Sequence, residues 1–254
     1  MPFALLCALL VLAAALTDVA LAADYAREER WAQEIVPSLV VGDAVYLTTA
    51  ARPKVLAIFT VPPGESRGGV VVVHGLGVHP DWGLIGGVRT GLADAGYVTL
   101  SVQMPVLSAS ATRDDYRATL PEAGERIAAA VTYLRRKGIA KVAIVSHSMG
   151  ATMANAYLAR RDALVVDAWI PVGMFGTFSV SPKEPLLDIL AENDLTDVLA
   201  AAPLRAPRLR KDGCSKQATI AGADHYFDDR QKELVSTIAA FLKIAFEGHC
   251  GRGL

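Results

Sequence analysis

Hydrophobic and polar residues alternate in two different patterns along this chain, one before and one after residue 67. Residues 24–34 are mostly charged and are predicted to be helical or loosely ordered. Between residues 36 and 61, short apolar runs alternate with Gly-Asp, Ala-Ala and Arg-Pro pairs. That spacing predicts two or three antiparallel strands, at Leu39–Val41, Ala44–Thr49 and Lys54–Thr60.

After residue 67, strand-length apolar runs alternate with helix-length amphipathic stretches, which is typical of a parallel sheet with crossover helices. The predicted strands are Val70–His74, Tyr97–Val102, Lys141–Ser146, Leu164–Ile170, Leu186–Ala191 and Lys216–Ile220. The predicted helices are Leu84–Ala95, Pro121–Lys137, Ala151–Ala159 and Gln231–Phe246. We find no linker after the N-terminal segment, so residues 23–254 are expected to form a single α/β domain. The short spacing between the late strands leaves no room for a large cap domain.

The N-terminus has the pattern of a targeting segment. Phe3 to Leu16 is an apolar run, and Val19-Ala-Leu-Ala22 offers a small-residue cleavage site. The alternative is a membrane anchor, but the run is shorter than the ~20 residues a span requires, and Thr17-Asp18 interrupts it. Residues 1–22 are therefore predicted to be a cleaved signal peptide. We expect a periplasmic or extracellular protein with no membrane span once the signal is removed.

Composition and charge narrow the class of protein. The chain is 52% hydrophobic and 20% charged, with a formal net charge of −1. This describes a globular protein with a large core, and the absence of a basic stripe argues against nucleic-acid binding.

Two cysteines, Cys214 and Cys250, remain once the signal is removed. An even number in an oxidising compartment predicts a disulfide, with two free thiols as the alternative. They lack the closely spaced histidines of a zinc site, and no metal is expected.

A strand, a turn and a helix around Ser148 supply the first candidate for chemistry. Val142–Ser146 is predicted to be a buried strand, Ser-His-Ser-Met-Gly forms the turn, and an Ala-rich helix comes next. A serine between small residues at such a corner is typical of a nucleophile elbow. Ser146 stands where glycine is usual, and the pentapeptide alone is a weak signal.

The loop after the first parallel strand, residues 74–82, is rich in glycine. It could present the Leu76 N–H, together with the N–H of Met149, to a developing oxyanion. It fits neither of the glycine-rich phosphate-binding patterns. His79 and Trp82, further along this loop, could line a pocket entrance.

Two later strand ends carry an acid and a base. Asp194 follows the predicted strand Leu186–Ala191, and Glu192, nearer the strand end, is an alternative acid. His225 follows the last predicted strand. The order Ser148, Asp194, His225 is the Ser…Asp…His order of one hydrolase architecture.

From Val70 onward the chain resembles the α/β-hydrolase superfamily. The run His74-Gly-Leu-Gly-Val-His-Pro-Asp-Trp-Gly83, with Leu100-Ser-Val-Gln-Met-Pro105 downstream, resembles a family of exported bacterial proteins of uncharacterised function, DUF3530. The resemblance implies Ser148 as nucleophile, Asp194 as acid and His225 as base, although Ala191 replaces a glycine common at the start of the acid loop.

The expected function is that of an exported serine hydrolase acting on small carboxylic esters, without metal or organic cofactor, with thioesters or amides less favoured. The alternatives are acyl transfer to an acceptor other than water and a non-catalytic binding or envelope-interaction protein of the same fold.

Overall fold

The computed structural model describes residues 23–251. The predicted signal peptide, residues 1–22, lies outside the described residues. Within them, no helix is long and apolar enough to cross a membrane.

An eight-stranded sheet forms the centre of the structure, in the order β1-β2-β4-β3-β5-β6-β7-β8. The first two strands pair antiparallel, β2 pairs antiparallel with β4, and every other neighbouring pair is parallel. The strands are β1 (Asp43–Leu47), β2 (Val55–Thr60), β3 (Gly69–Val73), β4 (Val98–Val102), β5 (Val142–His147), β6 (Ala168–Val172), β7 (Leu187–Asn193) and β8 (Lys216–Asp224).

Helices cover both faces of this sheet, and the side-chain alternation of the strands explains why. In β3, Val71 and Val73 belong to one buried cluster, while Val70 and Val72 belong to the other. The helices are α1 (Tyr25–Ser38), α2 (Gly83–Asp94), α3 (Leu120–Arg136), α4 (Met149–Leu158), α5 (Thr196–Arg205) and α6 (Gln231–Phe246). The first cluster includes apolar residues of α3 and α4, and the second includes residues of α2 and α6.

The predicted fold class is confirmed: a mostly parallel sheet with flanking helices, an antiparallel N-terminal region and no large cap. The charged segment after residue 24 is helical, and α1 extends it to Ser38. The predicted strand Leu39–Val41 is wrong. Val40 is 94% exposed, and Gly42 turns the chain into β1 with a φ of 88°, so this apolar run has no sheet to pair with.

The structure differs from the predicted elements at two further places, the start of β6 and helix α5. β6 begins at Ala168 and not at Leu164, because Leu164 and Val165 lie at the surface, Val165 being 84% exposed. Helix α5 carries Pro203 in its interior, and the sequence did not predict it. A ten-residue helix with an internal proline has a weak periodic signal.

A disulfide links Cys214, just before β8, to Cys250, after α6, as predicted. The two Cα atoms are 5.3 Å apart, and the bond spans 36 residues of sequence. It therefore fixes the end of the chain to the segment that enters the last strand.

Candidate active site

Ser148 occupies a sharp corner between β5 and α4. Its backbone has a φ of 56°, a conformation rare for residues other than glycine. Its N–H donates to the carbonyl of Val172 at 2.9 Å. A Cβ at Gly150 would stand 2.4 Å from the His74 carbonyl oxygen and 2.6 Å from that of Val73, so only glycine fits there. Strand and helix thus approach closely enough to hold the serine in a strained, fixed position.

Ser146, which replaces the usual elbow glycine, is accommodated inside the sheet. It is fully buried, and its Oγ accepts a hydrogen bond from Trp169 Nε1 at 2.9 Å. Both its polar atom and the indole N–H of Trp169 therefore have partners. The substitution leaves the corner at Ser148 intact.

The structure brings Ser148, His225 and Asp194 into one hydrogen-bonded chain. His225 Nε2 lies 3.0 Å from Ser148 Oγ, and His225 Nδ1 lies 2.5 Å from Asp194 Oδ1. All three residues are buried. Because a carboxylate can only accept, Nδ1 carries the proton, which leaves Nε2 as the acceptor for the serine hydroxyl.

Asp194 is held as an anion by its surroundings. Burial alone raises the pKa of this carboxyl, but hydrogen bonds from His225 and from the amides of Ala191 and Leu195 bring the pKa below its usual value. Hydrogen bonds to the charged form stabilise that form. Ala191 therefore contributes through its backbone, for which a glycine is not needed.

The alternative acid, Glu192, points elsewhere. It is exposed, and its carboxylate accepts from the Gly222 amide on β8 at 2.8 Å. An irregularity in the β7–β8 register lies between Ala191 and Asn193. Of the two carboxylates, Asp194 is the one that contacts His225.

His147, between the two serines, supports His225. Its Nε2 donates to the backbone carbonyl of His225 at 2.8 Å, and the two rings lie 4.9 Å apart. Burial, together with the nearby His225, lowers the pKa of His147 to about 4, so it is neutral near pH 7. It holds the loop that carries His225.

His74 fixes the glycine-rich loop from inside the protein. Its Nδ1 donates to the Gly75 carbonyl at 2.9 Å, and its Nε2 accepts from the Met104 amide at 2.8 Å. Full burial lowers the pKa of His74 to about 3, which keeps the ring neutral. Since C=O and N–H of a trans peptide point in opposite directions, anchoring the Gly75 carbonyl also orients the Leu76 N–H.

The two predicted oxyanion donors have no competing partners. Within residues 23–251, neither the Leu76 N–H nor the Met149 N–H donates to another protein atom. Gly75 lies against Ser148, since a Cβ at Gly75 would stand 3.1 Å from Ser148 Cβ. These amides are therefore available to a ligand oxygen near Ser148.

A cavity of about 530 Å³ opens beside Met149. Its walls combine apolar and charged side chains, among them Arg113, Arg117, Leu120, Thr152, Phe175 and Asp197. The ring of Phe175 lies 5.8 Å from that of His225, and the Arg113 guanidinium lies 4.2 Å above Phe175. The cavity therefore lies next to the Ser148–His225 pair, although neither of these two residues lines it.

His79 and Trp82, predicted as pocket residues, do not line this cavity. Trp82 packs edge-on against Tyr226, and His79 packs against Trp31. The sequence interpretation missed Phe175, although it follows β6, whose carboxyl end faces the site like those of β5 and β7. The rule that ligands bind beyond the ends of parallel strands could have found it.

Across residues 23–251, no group of three or more His, Cys, Asp or Glu side chains is arranged to hold a metal ion.

A serine on a strand-to-helix corner, with an acid and a histidine after later strands of a mostly parallel sheet, defines the α/β-hydrolase class. The chain belongs to the alpha/beta hydrolase family, whose model matches residues 70–248. A second model, for a protein family of unknown function (DUF3530), matches residues 4–125. No curated protein matches the chain by sequence.

Solved structures with the same fold share little sequence with the chain. A serine hydrolase without lid from Xanthomonas campestris is 15% identical with a TM-score of 0.64, over 80% of this chain and 94% of that one. Dienelactone hydrolase from Anabaena variabilis is 21% identical with a TM-score of 0.62, over 80% of this chain and 96% of that one. The esterase domain of a Rhodothermus marinus protein is 12% identical with a TM-score of 0.59, over 78% of this chain and 96% of that one. At these identities the similarity is one of fold.

Proposed function

We propose that this protein is an exported serine hydrolase that cleaves small carboxylic esters through an acyl-enzyme. The observation that carries the proposal is the hydrogen-bonded chain Asp194–His225–Ser148 beside two unengaged backbone amides. Each of these parts has its own chemical task in a two-step reaction.

In the first step, Ser148 Oγ forms a bond to the ester carbonyl carbon while its proton passes to His225 Nε2. The carbonyl oxygen becomes an oxyanion and receives hydrogen bonds from the Leu76 and Met149 amides. One such donor is typically worth about 10²–10³ in rate. Asp194 remains ionised and stabilises the imidazolium cation of His225.

In the second step, the tetrahedral intermediate collapses and the alcohol leaves with the proton from His225. A water molecule then attacks the acyl-serine, with His225 as base, and the carboxylic acid is released. His225 carries the proton in both halves of the cycle. No metal and no organic cofactor take part in the proposed reaction.

The cavity supports a small ester as substrate. Its volume falls in the range of small-molecule sites, ~300–1,000 Å³. Leu120, Met149 and Phe175 offer apolar contact near the nucleophile, while Arg113 and Asp197 form an ion pair at the rim. An ester with a modest apolar part and a polar end fits such walls, and thioesters and amides are less favoured.

Export is supported by two features of the chain. The predicted signal peptide, residues 1–22, precedes the described residues, and the Cys214–Cys250 disulfide belongs to the chemistry of an oxidising compartment. The names of the similar structures, which include a serine hydrolase and an esterase domain, support the reaction class.

The test of this function is turnover of short p-nitrophenyl esters by the purified, oxidised protein lacking residues 1–22. We expect steady-state release of p-nitrophenol from the acetate and the butyrate, because the proposed triad attacks the ester carbonyl and water then releases the acyl group. A matched series of thioesters and anilides should react more slowly. Absence of turnover across the whole ester series would refute the proposal.

A further inference from the structure

Helix α1 contacts the loop that carries the Leu76 N–H, at two points. The guanidinium of Arg27 donates to the Gly77 carbonyl at 3.1 Å and to the Leu107 carbonyl at 2.7 Å. One turn along α1, Trp31 packs against the ring of His79, with centroids 5.5 Å apart. Both contacted positions lie within three residues of Leu76.

The two contact residues also support each other. The Arg27 guanidinium lies 4.5 Å above the Trp31 ring, so the cation is held in the position from which it reaches Gly77. On the loop side, His79 Nδ1 accepts from the Asp81 amide at 3.3 Å. Arg27, Trp31 and His79 therefore form one continuous packed column from helix to loop.

Helix α1 is itself fixed firmly enough to act as a support. Its Glu28 is buried and forms an ion pair with Arg126 of α3 at 3.1 Å. The Asp24 amide donates to the Val106 carbonyl at 2.6 Å, and the Asp24 carboxylate caps the helix through the Arg27 amide. A loop held by this helix is thus connected to the body of the domain.

Beyond His79 the loop is also fixed at Pro80, whose carbonyl accepts from the Ser101 hydroxyl at 2.6 Å, and at Asp81, which pairs with Arg89. Gly77 has a φ of 69°, and the Leu76 side chain is 39% exposed. His74 anchors the Gly75–Leu76 peptide from the inside. Arg27 anchors the carbonyl of Gly77, the residue after Leu76, from the outside. The Leu76 amide belongs to the first of these anchored peptides, and the second follows it directly. Of the two anchoring side chains, His74 lies within the matched hydrolase region and Arg27 lies outside it.

We infer that α1 is a positioning element of the oxyanion site, with Arg27 and Trp31 as positioning residues that hold the Leu76 N–H toward Ser148. The α/β-hydrolase match begins at residue 70, so this helix is an addition to the matched core. The inference rests on the proposed function for its catalytic consequence. The structural part, a loop held by α1, stands independently of any activity.

Hydrogen–deuterium exchange tests the structural part without turnover. Arg27→Met removes the hydrogen bonds to the Gly77 carbonyl of this loop and to the Leu107 carbonyl after β4, and keeps an apolar stem over Trp31. We expect amides in the peptide covering residues 75–82 to exchange about tenfold faster than in the wild type, because local opening costs less. Arg30→Met, an exposed arginine on the same helix, is the matched control and should leave exchange unchanged. Equal exchange in the two variants overturns the inference.

Steady-state kinetics with p-nitrophenyl acetate tests the catalytic part. We expect Arg27→Met to lower kcat about 10–100-fold with little change in KM, because a misplaced oxyanion donor weakens only transition-state binding. Arg27→Lys, which can reach one carbonyl but not both, should recover part of kcat. Arg30→Met should match the wild type. A normal kcat in Arg27→Met, or a loss confined to KM, contradicts the inference.

The exchange and kinetic measurements together distinguish a failure of the inference about α1 from a failure of the proposed function. A wild type without turnover refutes ester hydrolysis, and with it the oxyanion role of α1, whereas the exchange result still decides whether α1 holds the loop. Faster exchange in Arg27→Met with a normal kcat in an active enzyme refutes the positioning role alone.

Discussion

Replacing Ser148 by alanine is expected to lower kcat/KM for p-nitrophenyl acetate by about 10⁴-fold or more, leaving only the residual catalysis that the oxyanion donors and binding provide. The reason is the loss of the hydroxyl that lies 3.0 Å from His225 Nε2 and beside the two unengaged amides. The fold should persist, since alanine meets the same backbone constraint at a φ of 56° as serine does.

Ser146→Ala is the matched control for this substitution. It removes a buried hydroxyl two residues away and breaks the hydrogen bond from Trp169, which costs about 1–3 kcal/mol of stability. Because Ser146 does not contact His225, the folded variant should keep most of the wild-type kcat/KM. Comparable activity of Ser148→Ala and Ser146→Ala, both shown to be folded, would contradict the assignment of the nucleophile.

Replacing Arg205 by methionine is expected to lower the free energy of unfolding by about 3–5 kcal/mol. Arg205 and Asp188 form an ion pair at 2.8 Å with both side chains fully buried. Removing the cation leaves the Asp188 charge without its partner in the interior. Arg205 also donates to the Met174 and Gly176 carbonyls, so the loop that carries Phe175 loses its support. Urea unfolding of the oxidised protein measures the change.

Two controls identify the cause of that loss. Arg161→Met removes an exposed arginine and should change the free energy of unfolding by less than about 0.5 kcal/mol. Adding Asp188→Asn to Arg205→Met removes the uncompensated charge and keeps an acceptor for Gln217, so part of the stability should return. If the double variant is no more stable than Arg205→Met alone, the buried charge is not the cause.

The sequence was most informative about the parallel half of the sheet. β3, β4 and β5 are fully buried, largely apolar runs bounded by turn residues, so their positions are visible in the local pattern. Ser148, Asp194 and His225 were each found in the loop just after a predicted strand, because the carboxyl ends of parallel strands meet at one edge. No knowledge of side-chain contacts is needed to find residues in this way.

The remaining features depend on contacts between residues far apart in the chain. Asp194 and Glu192 both lie at the end of β7, but the Asp194 carboxylate contacts His225 while the Glu192 carboxylate contacts Gly222. The β7–β8 register is irregular at this place, between Ala191 and Asn193. Sequence pattern does not reveal such a shift. Likewise, the contact of Arg27 with Gly77 joins positions 50 residues apart, and no periodicity within α1 reports it.

Labelling with a fluorophosphonate, followed by mass-spectrometric mapping of the adduct, tests the central claim most directly, because only an activated serine reacts quickly with such a probe. We predict a single adduct on Ser148 of the folded protein, with none after unfolding in urea and a much slower reaction in His225→Ala. Ser146, two residues away, should remain unmodified. A folded protein that forms no adduct would contradict the proposed hydrolase and favour a non-catalytic binding protein with this fold. An adduct at another residue would contradict the assignment of Ser148 as the nucleophile.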